Sequence, residues 1–370
     1  MNIEDVLYDP AQELVYIGKN GLHLRPAPLR CDSFVARSAM QKAIRRGAPG
    51  LALRAAATLM LTNGAVVWRR LLVTALEDLG IHETGILIRI AAAIERRRFG
   101  IAIKDEWPLI EALIRECCSA TRCQAANDLH NLSIHDVRYD AFRSSTADLP
   151  VRDLSLLVAD KRRDLIERNI AVLSCLGVEH APWSKQQPTV NPEELAAVIC
   201  PNAHPAIRAI YAWAFRKTRL PLATSALLLT CANGAGCSTP PAFDDDVPPI
   251  KLIDSIPTFA LDQYTRLGRT AIRYFTKRSE RWEDFADKLA LCSAQQFKAA
   301  GELLFRVEGA VVTRRCSWGV GRALFEQSST VGCYLPMEAV DEGRAIVRSE
   351  LPLLDELRAA RLSEAQLALG

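Results

Sequence analysis

This sequence predicts an all-α protein, a multi-helix bundle, and three observations predict it. Alternating β-branched runs are almost absent, whereas Ala, Leu, Arg and Glu dominate, and those residues favour helix. Turn signals such as Gly47, Asn63-Gly64 and Gly80 punctuate the first hundred residues at short intervals, as they do between antiparallel helical neighbours. Apolar residues make up 49% of the 370 and charged residues 24%, the balance of a chain that buries a core.

The elements follow in order. The first thirty residues read as irregular, with a short strand at VYIG from Val15 and an extended RPAP at 25–28. Ser33 or Ser38 caps a helix that runs to Arg46 and ends at Gly47. Pro49 opens the next helix, over 50–61. A third spans Val66 to Leu79, stopped by Gly80, and a fourth covers Thr84 to Arg98. Further helices are predicted at 106–119, 121–132, 153–176, 192–200, 205–217 and 222–231. The Gly-, Pro- and Asp-rich stretch 232–250 reads as a linker and as the boundary between domains. Helices at 258–279, 281–290, 293–307, 337–350 and 352–369 complete the chain, with Arg314 to Gly321 a turn region. The expected organisation is therefore an irregular segment 1–32, a helical domain 33–231, the linker 232–250 and a C-terminal helical region 251–370. No repeat of 20–50 residues is present, which argues against a solenoid.

A formal net charge of +3 excludes a polycation, so any affinity for nucleic acid must come from local patches. The eleven cysteines are odd in number and irregular in spacing, and several lie within apolar helical runs. That pattern fits buried thiols in a reducing compartment better than a disulfide framework. The acidic N-terminus MNIEDVLYDP lacks a signal-peptide core, and no apolar run approaches the roughly 20 residues of a membrane span. A cytoplasmic protein with no membrane association is expected.

The most distinctive segment runs from Ser38 to Gly80. Seven basic residues and no acidic one fall between Phe34 and Leu76, before the pair Glu77-Asp78. The ordered set Ser38, Lys42, Arg45, Arg46, Ala52, Ala55, Arg69, Arg70, Glu77, Asp78 and Gly80 resembles the helical C-terminal, or collar, region of MgsA/RarA-type clamp-loader-like AAA+ ATPases, over residues 33–98. The resemblance implies a collar-like N-terminal part that mediates oligomerisation beside DNA. It does not extend to ATPase activity. The chain contains no GxxxxGK[ST] phosphate loop, and 37 residues precede Ser38, too few for an ATPase domain. Arg69 and Arg70 lie two helical turns ahead of Glu77 and Asp78, too far for a direct i,i+4 pair. These four are expected to form structural ion pairs with neighbouring helices.

A second basic element lies between Leu261 and Trp282. Arg266, Arg269, Arg273 and Lys277 recur at i, i+3, i+7 and i+11 and so share one helical face, suited to a phosphate backbone. Gly268 within that helix signals close approach of another chain segment. Asp262 is expected to complement the helix's positive end. Lys42, Arg45, Arg46 and those four cations are the candidate nucleic-acid-binding residues.

Cys117, Cys118, Cys123, His130 and His135 cluster, yet their spacing is not that of a zinc finger, and no metal site is expected. There is no HExxH, GxSxG or Rossmann glycine pattern, so neither catalytic residue nor cofactor is assigned. The expected function is a non-enzymatic protein of DNA replication, recombination or repair, with DNA, a DNA-bound replication protein or a second copy of itself as partner. The alternatives are a structural or oligomerisation module that binds acidic protein surfaces and, with least support, an enzyme.

Overall fold

The computed structural model describes residues 2–20, 24–185, 190–233 and 241–367. Helix dominates, as the composition requires, and among the described residues strand is confined to two short antiparallel pairs, Ala242–Phe243 with Arg315–Cys316 and Leu252–Ile253 with Ile256–Pro257. No helix among the described residues is long and apolar enough to cross a membrane.

The chain divides into two compact units, each assembled from three separate segments. The first comprises Met1–His23, Trp68–Phe243 and Arg314–Val331; the second comprises Leu24–Val67, Asp244–Thr313 and Gly332–Gly370. One crossing, between Phe243 and Asp244, falls in the stretch expected to be a linker, of which 234–240 lie outside the described residues. The two units are interleaved along the chain rather than divided at a single point.

In the first unit, the segment expected to be irregular forms the helix Ile3–Asn20. Leu7, Ala11 and Leu14 recur at helical spacing and are almost completely buried. That burial overrides Pro10, which would ordinarily break a helix interior. Trp107 and Trp213 fill the core, and the Trp213 indole N–H donates to Glu95 Oε1 at 3.1 Å. A polar strut crosses the unit: Asn169 Nδ2 donates to Ser133 Oγ and Ser225 Oγ donates to Asn169 Oδ1, each at 2.9 Å. The predicted helix 153–176 is two helices, Val151–Ala159 and Leu165–Leu176, the second capped by the Asp164 carboxylate. Two short helices, Asp140–Thr146 and Gly319–Ser328, stand where no helix was predicted, the second beginning inside the stretch read as a turn. Cys200 and Cys231 form a disulfide, a correction to the expectation of thiols alone; the other described cysteines are assigned to no disulfide and are mostly buried.

The second unit opens with Ser33–Arg45, capped by Asp32, and Pro49–Thr62. Its core gathers Phe275, Trp282, Phe285, Leu303, Leu304, Val340, Val347 and Leu354. These come from the helices Arg266–Arg278, Glu280–Lys288, Ser293–Leu304, Val340–Ser349 and Leu351–Leu367. Hydroxyl caps set two of the starts: Thr265 Oγ1 accepts from the Gly268 amide and Ser279 Oγ from the Trp282 amide, both at 3.1 Å.

Candidate functional site

The Arg266–Arg278 helix has sharply divided faces. Ala271, Ile272 and Phe275 are buried in the core of the second unit. Arg266, Arg269, Arg273 and Lys277 are all exposed on the opposite side. At about 100° per residue the four fall within an arc of roughly 80°, and at about 1.5 Å rise they extend over roughly 16 Å. No carboxylate among the described residues pairs with any of them, and the Arg273 guanidinium rests 5.3 Å from the centre of the Phe297 ring. Gly268 does mark a close approach: a Cβ there would lie 2.1 Å from the Asp262 carbonyl oxygen, in the segment that precedes the helix.

Lys42, Arg45 and Arg46, expected at a DNA-facing surface, are buried instead, with 3%, 6% and 7% of their surface exposed. Lys42 Nζ donates to Asp262 Oδ2 at 2.5 Å and to the Phe259 carbonyl at 2.7 Å. Arg45 donates to the Gly309 carbonyl, and Arg46 to the carbonyls of Pro248 and Glu308. Glu308 also receives Arg358, a fully enclosed guanidinium, at 2.7 Å. The physical reason is compensation. Buried cations are tolerated where carboxylates and carbonyls converge on them, and the second unit supplies both. Asp262 is therefore the buried partner of Lys42 rather than a helix-end charge. Burial lowers the affinity of the Lys42 amine for its proton, and Asp262 opposes that shift.

The acidic pair does its work in the first unit, through a loop. Asp78 is fully buried; its carboxylate accepts from Gln124 Nε2 at 2.9 Å and its carbonyl from the Cys123 amide at 2.9 Å. The buried Arg122 guanidinium lies near enough to feel its charge. Arg69 is exposed, and Arg70 and Glu77 are half-buried. Of the four residues expected to form ion pairs, Asp78 is anchored by these contacts and Arg69 lies at the surface.

Those contacts lead to a constellation that the sequence does not announce. Gly80 adopts φ +63°, and a Cβ on it would lie 2.2 Å from the Cys123 carbonyl oxygen, so only glycine allows this turn to approach Cys123. Two residues on, His82 reaches Cys123. Glu83 Oε1 then accepts from the amide and hydroxyl of Thr121, at 3.1 and 2.8 Å, holding the two loops together. From the other side, the Cys316 amide donates to the Arg122 carbonyl at 2.8 Å and the Arg122 amide to the Arg314 carbonyl at 3.0 Å. Arg315 donates to Gln124 Oε1 at 2.9 Å, with its guanidinium 4.2 Å from the centre of the Phe325 ring. As a result one nitrogen of His82 and the sulfurs of Cys123 and Cys316 all lie within 4.8 Å of one another. The Trp318 ring meets the His82 ring edge-on, with centres 5.4 Å apart. A cleft lined by residues that include Cys123, Phe243, Cys316, Trp318 and Phe325 adjoins the cluster. Cys316 above all, and then His82, favour the thiolate of Cys123 and hold its pKa well below the usual thiol value, against the effect of burial.

Sequence proximity had grouped Cys123 with Cys117, Cys118, His130 and His135. Cys117 is instead a buried thiol whose pKa burial raises, and Cys118 is similarly raised, to about 12. His82 and Cys316 are distant from Cys123 in the chain, and neither belongs to a spacing motif. The one available signal was Gly80 beside an acidic pair, a turn with His82 just beyond it. No family model, curated protein or solved structure matches this chain.

Proposed function

We propose that the protein is a non-enzymatic component of DNA replication, recombination or repair, and that it contacts the DNA backbone through Arg266, Arg269, Arg273 and Lys277. The observation that carries this reading is the single exposed face on which four cations stand without carboxylate partners among the described residues. A row of about 16 Å matches the rise of roughly five nucleotides along one strand, and each phosphate neutralised releases counterions. The resemblance of residues 33–98 to a clamp-loader collar supports the same setting, with DNA, a DNA-bound replication protein or a second copy of this chain as neighbour. The charges of Lys42, Arg45 and Arg46 are compensated inside the second unit, which leaves the Arg266–Arg278 helix as the binding surface.

Fluorescence anisotropy with labelled duplex DNA across a salt series tests the proposal. The triple change Arg266→Ala, Arg269→Ala and Arg273→Ala is expected to weaken binding and to make the slope of log K against log salt shallower by about 2.7. An intact protein without DNA affinity at low salt would overturn the reading and favour the rival, an acidic protein partner for the same face.

A further inference from the structure

We infer that His82, Cys123 and Cys316 form a zinc-binding site in the first unit. Two thiolates and an imidazole are a soft, zinc-preferring donor set. In tetrahedral zinc the S and N donors stand about 3.5–3.8 Å apart, given bonds of roughly 2.0–2.3 Å. The three atoms here already lie within 4.8 Å, so closure onto the ion requires a movement of about 1 Å. Among the described residues no other set of three or more Cys, His, Asp or Glu side chains meets in this way.

A second observation is independent of the spacing. Nε2 of His82 is buried and makes no hydrogen bond among the described residues. A buried polar atom with no partner is disfavoured, and a ligand is one way to satisfy it. The cysteines are 4% and 7% exposed, so their sulfurs are also shielded from water; thiolates formed on binding a divalent cation would be neutralised by it.

The scaffold around the three residues is that of a positioned site. His82 is placed by the Gly80 turn and by Glu83 bound to Thr121; Cys123 by its amide on Asp78; and Cys316 by its amide on Arg122. Each ligand therefore arrives on backbone held by hydrogen bonds that do not involve the ligand atoms. Such outer contacts orient metal ligands in known sites. The chain supplies three ligands, which leaves the fourth position of a tetrahedral ion to solvent or another donor.

The test uses the full chain purified under reducing conditions. Elemental analysis is expected to find one zinc per chain. Cobalt added to the chelator-stripped protein is expected to give thiolate-to-metal charge-transfer bands and the visible bands of a tetrahedral ion. Cys123→Ser and Cys316→Ser should each abolish stoichiometric binding, whereas Cys117→Ser, which changes a buried thiol outside the cluster, should retain it. Alkylation followed by peptide mapping needs no variant: a chelator should speed modification of Cys123 and Cys316 and added zinc should slow it again, while the exposed Cys292 reacts equally in both. Absence of stoichiometric metal and of cobalt bands in the intact protein would overturn the assignment. So would metal retained after both substitutions, or a Cys123–Cys316 disulfide in the protein as isolated.

Discussion

Lys42 carries its charge into the interior of the second unit, and its place there depends on one carboxylate. Asp262 is 2% exposed and holds the amine at 2.5 Å, with the Phe259 carbonyl as a second acceptor. Lys42→Ala leaves that carboxylate buried and uncompensated, and the expected loss is about 3–5 kcal/mol in urea unfolding. The paired change Lys42→Met with Asp262→Leu should cost less than Lys42→Ala alone, because no lone charge remains. His130 gives the pH dependence. Burial above all, then the charges of His135 and His180, hold its pKa down at about 4. The unfolded value is about 6.5. Between those values the unfolded chain binds a proton that the folded chain refuses, so stability falls as pH drops from about 6.5 to 4. His130→Gln should flatten that decline, read as urea midpoints at pH 7 and pH 4.5.

At the scale of elements, the turn Ala75–Glu83 does more than end a helix. A π-helical turn, Ala75–Leu79, passes into a 3-10 turn, Gly80–Glu83, and together they deliver Asp78, His82 and Glu83 to the loop that carries Cys123. Gly80→Ala forces a side chain into a left-handed backbone and against the Cys123 carbonyl. The backbone strain alone is expected to cost about 1–3 kcal/mol in chemical denaturation. The same variant should weaken zinc binding, because it displaces His82 from the two sulfurs. The Arg266–Arg278 helix shows the opposite case, an element whose sequence pattern already states its faces. Its cations repeat at helical spacing, its apolar residues lie opposite, and Gly268 marks the close contact. The helix Ile3–Asn20 was illegible for a local reason: Pro10 and the VYIG run argue against helix, and the burial of Leu7, Ala11 and Leu14 decides otherwise.

For the whole molecule, the interleaved segments have a consequence that a linear division would not produce. A fragment comprising residues 1–240 lacks Arg315, Cys316 and the helix Gly319–Ser328 of the first unit. It also lacks Asp262, Glu308 and Arg358, leaving Lys42 and Arg46 without their partners. Such a fragment is expected to show no cooperative thermal unfolding by circular dichroism, whereas the full chain does. A cooperative transition in the fragment would mean that 232–250 is a true domain boundary.

The all-α class, most helix positions and the faces of the Arg266–Arg278 helix were legible in the sequence, because helix propensity, periodicity and glycine punctuation act over a few residues. Arg266, Arg269, Arg273 and Lys277 were placed together on one face by spacing alone. What became of Lys42, Arg45 and Arg46 was not legible, since whether a cation meets solvent or a buried carboxylate depends on residues more than 200 positions away. The same holds for His82, Cys123 and Cys316. The sequence neighbours of Cys123 suggested a different cluster, and only the tertiary fold, by pinning a 3-10 turn, a loop and a short strand against one another with hydrogen bonds, brings those three ligand atoms within reach of one another.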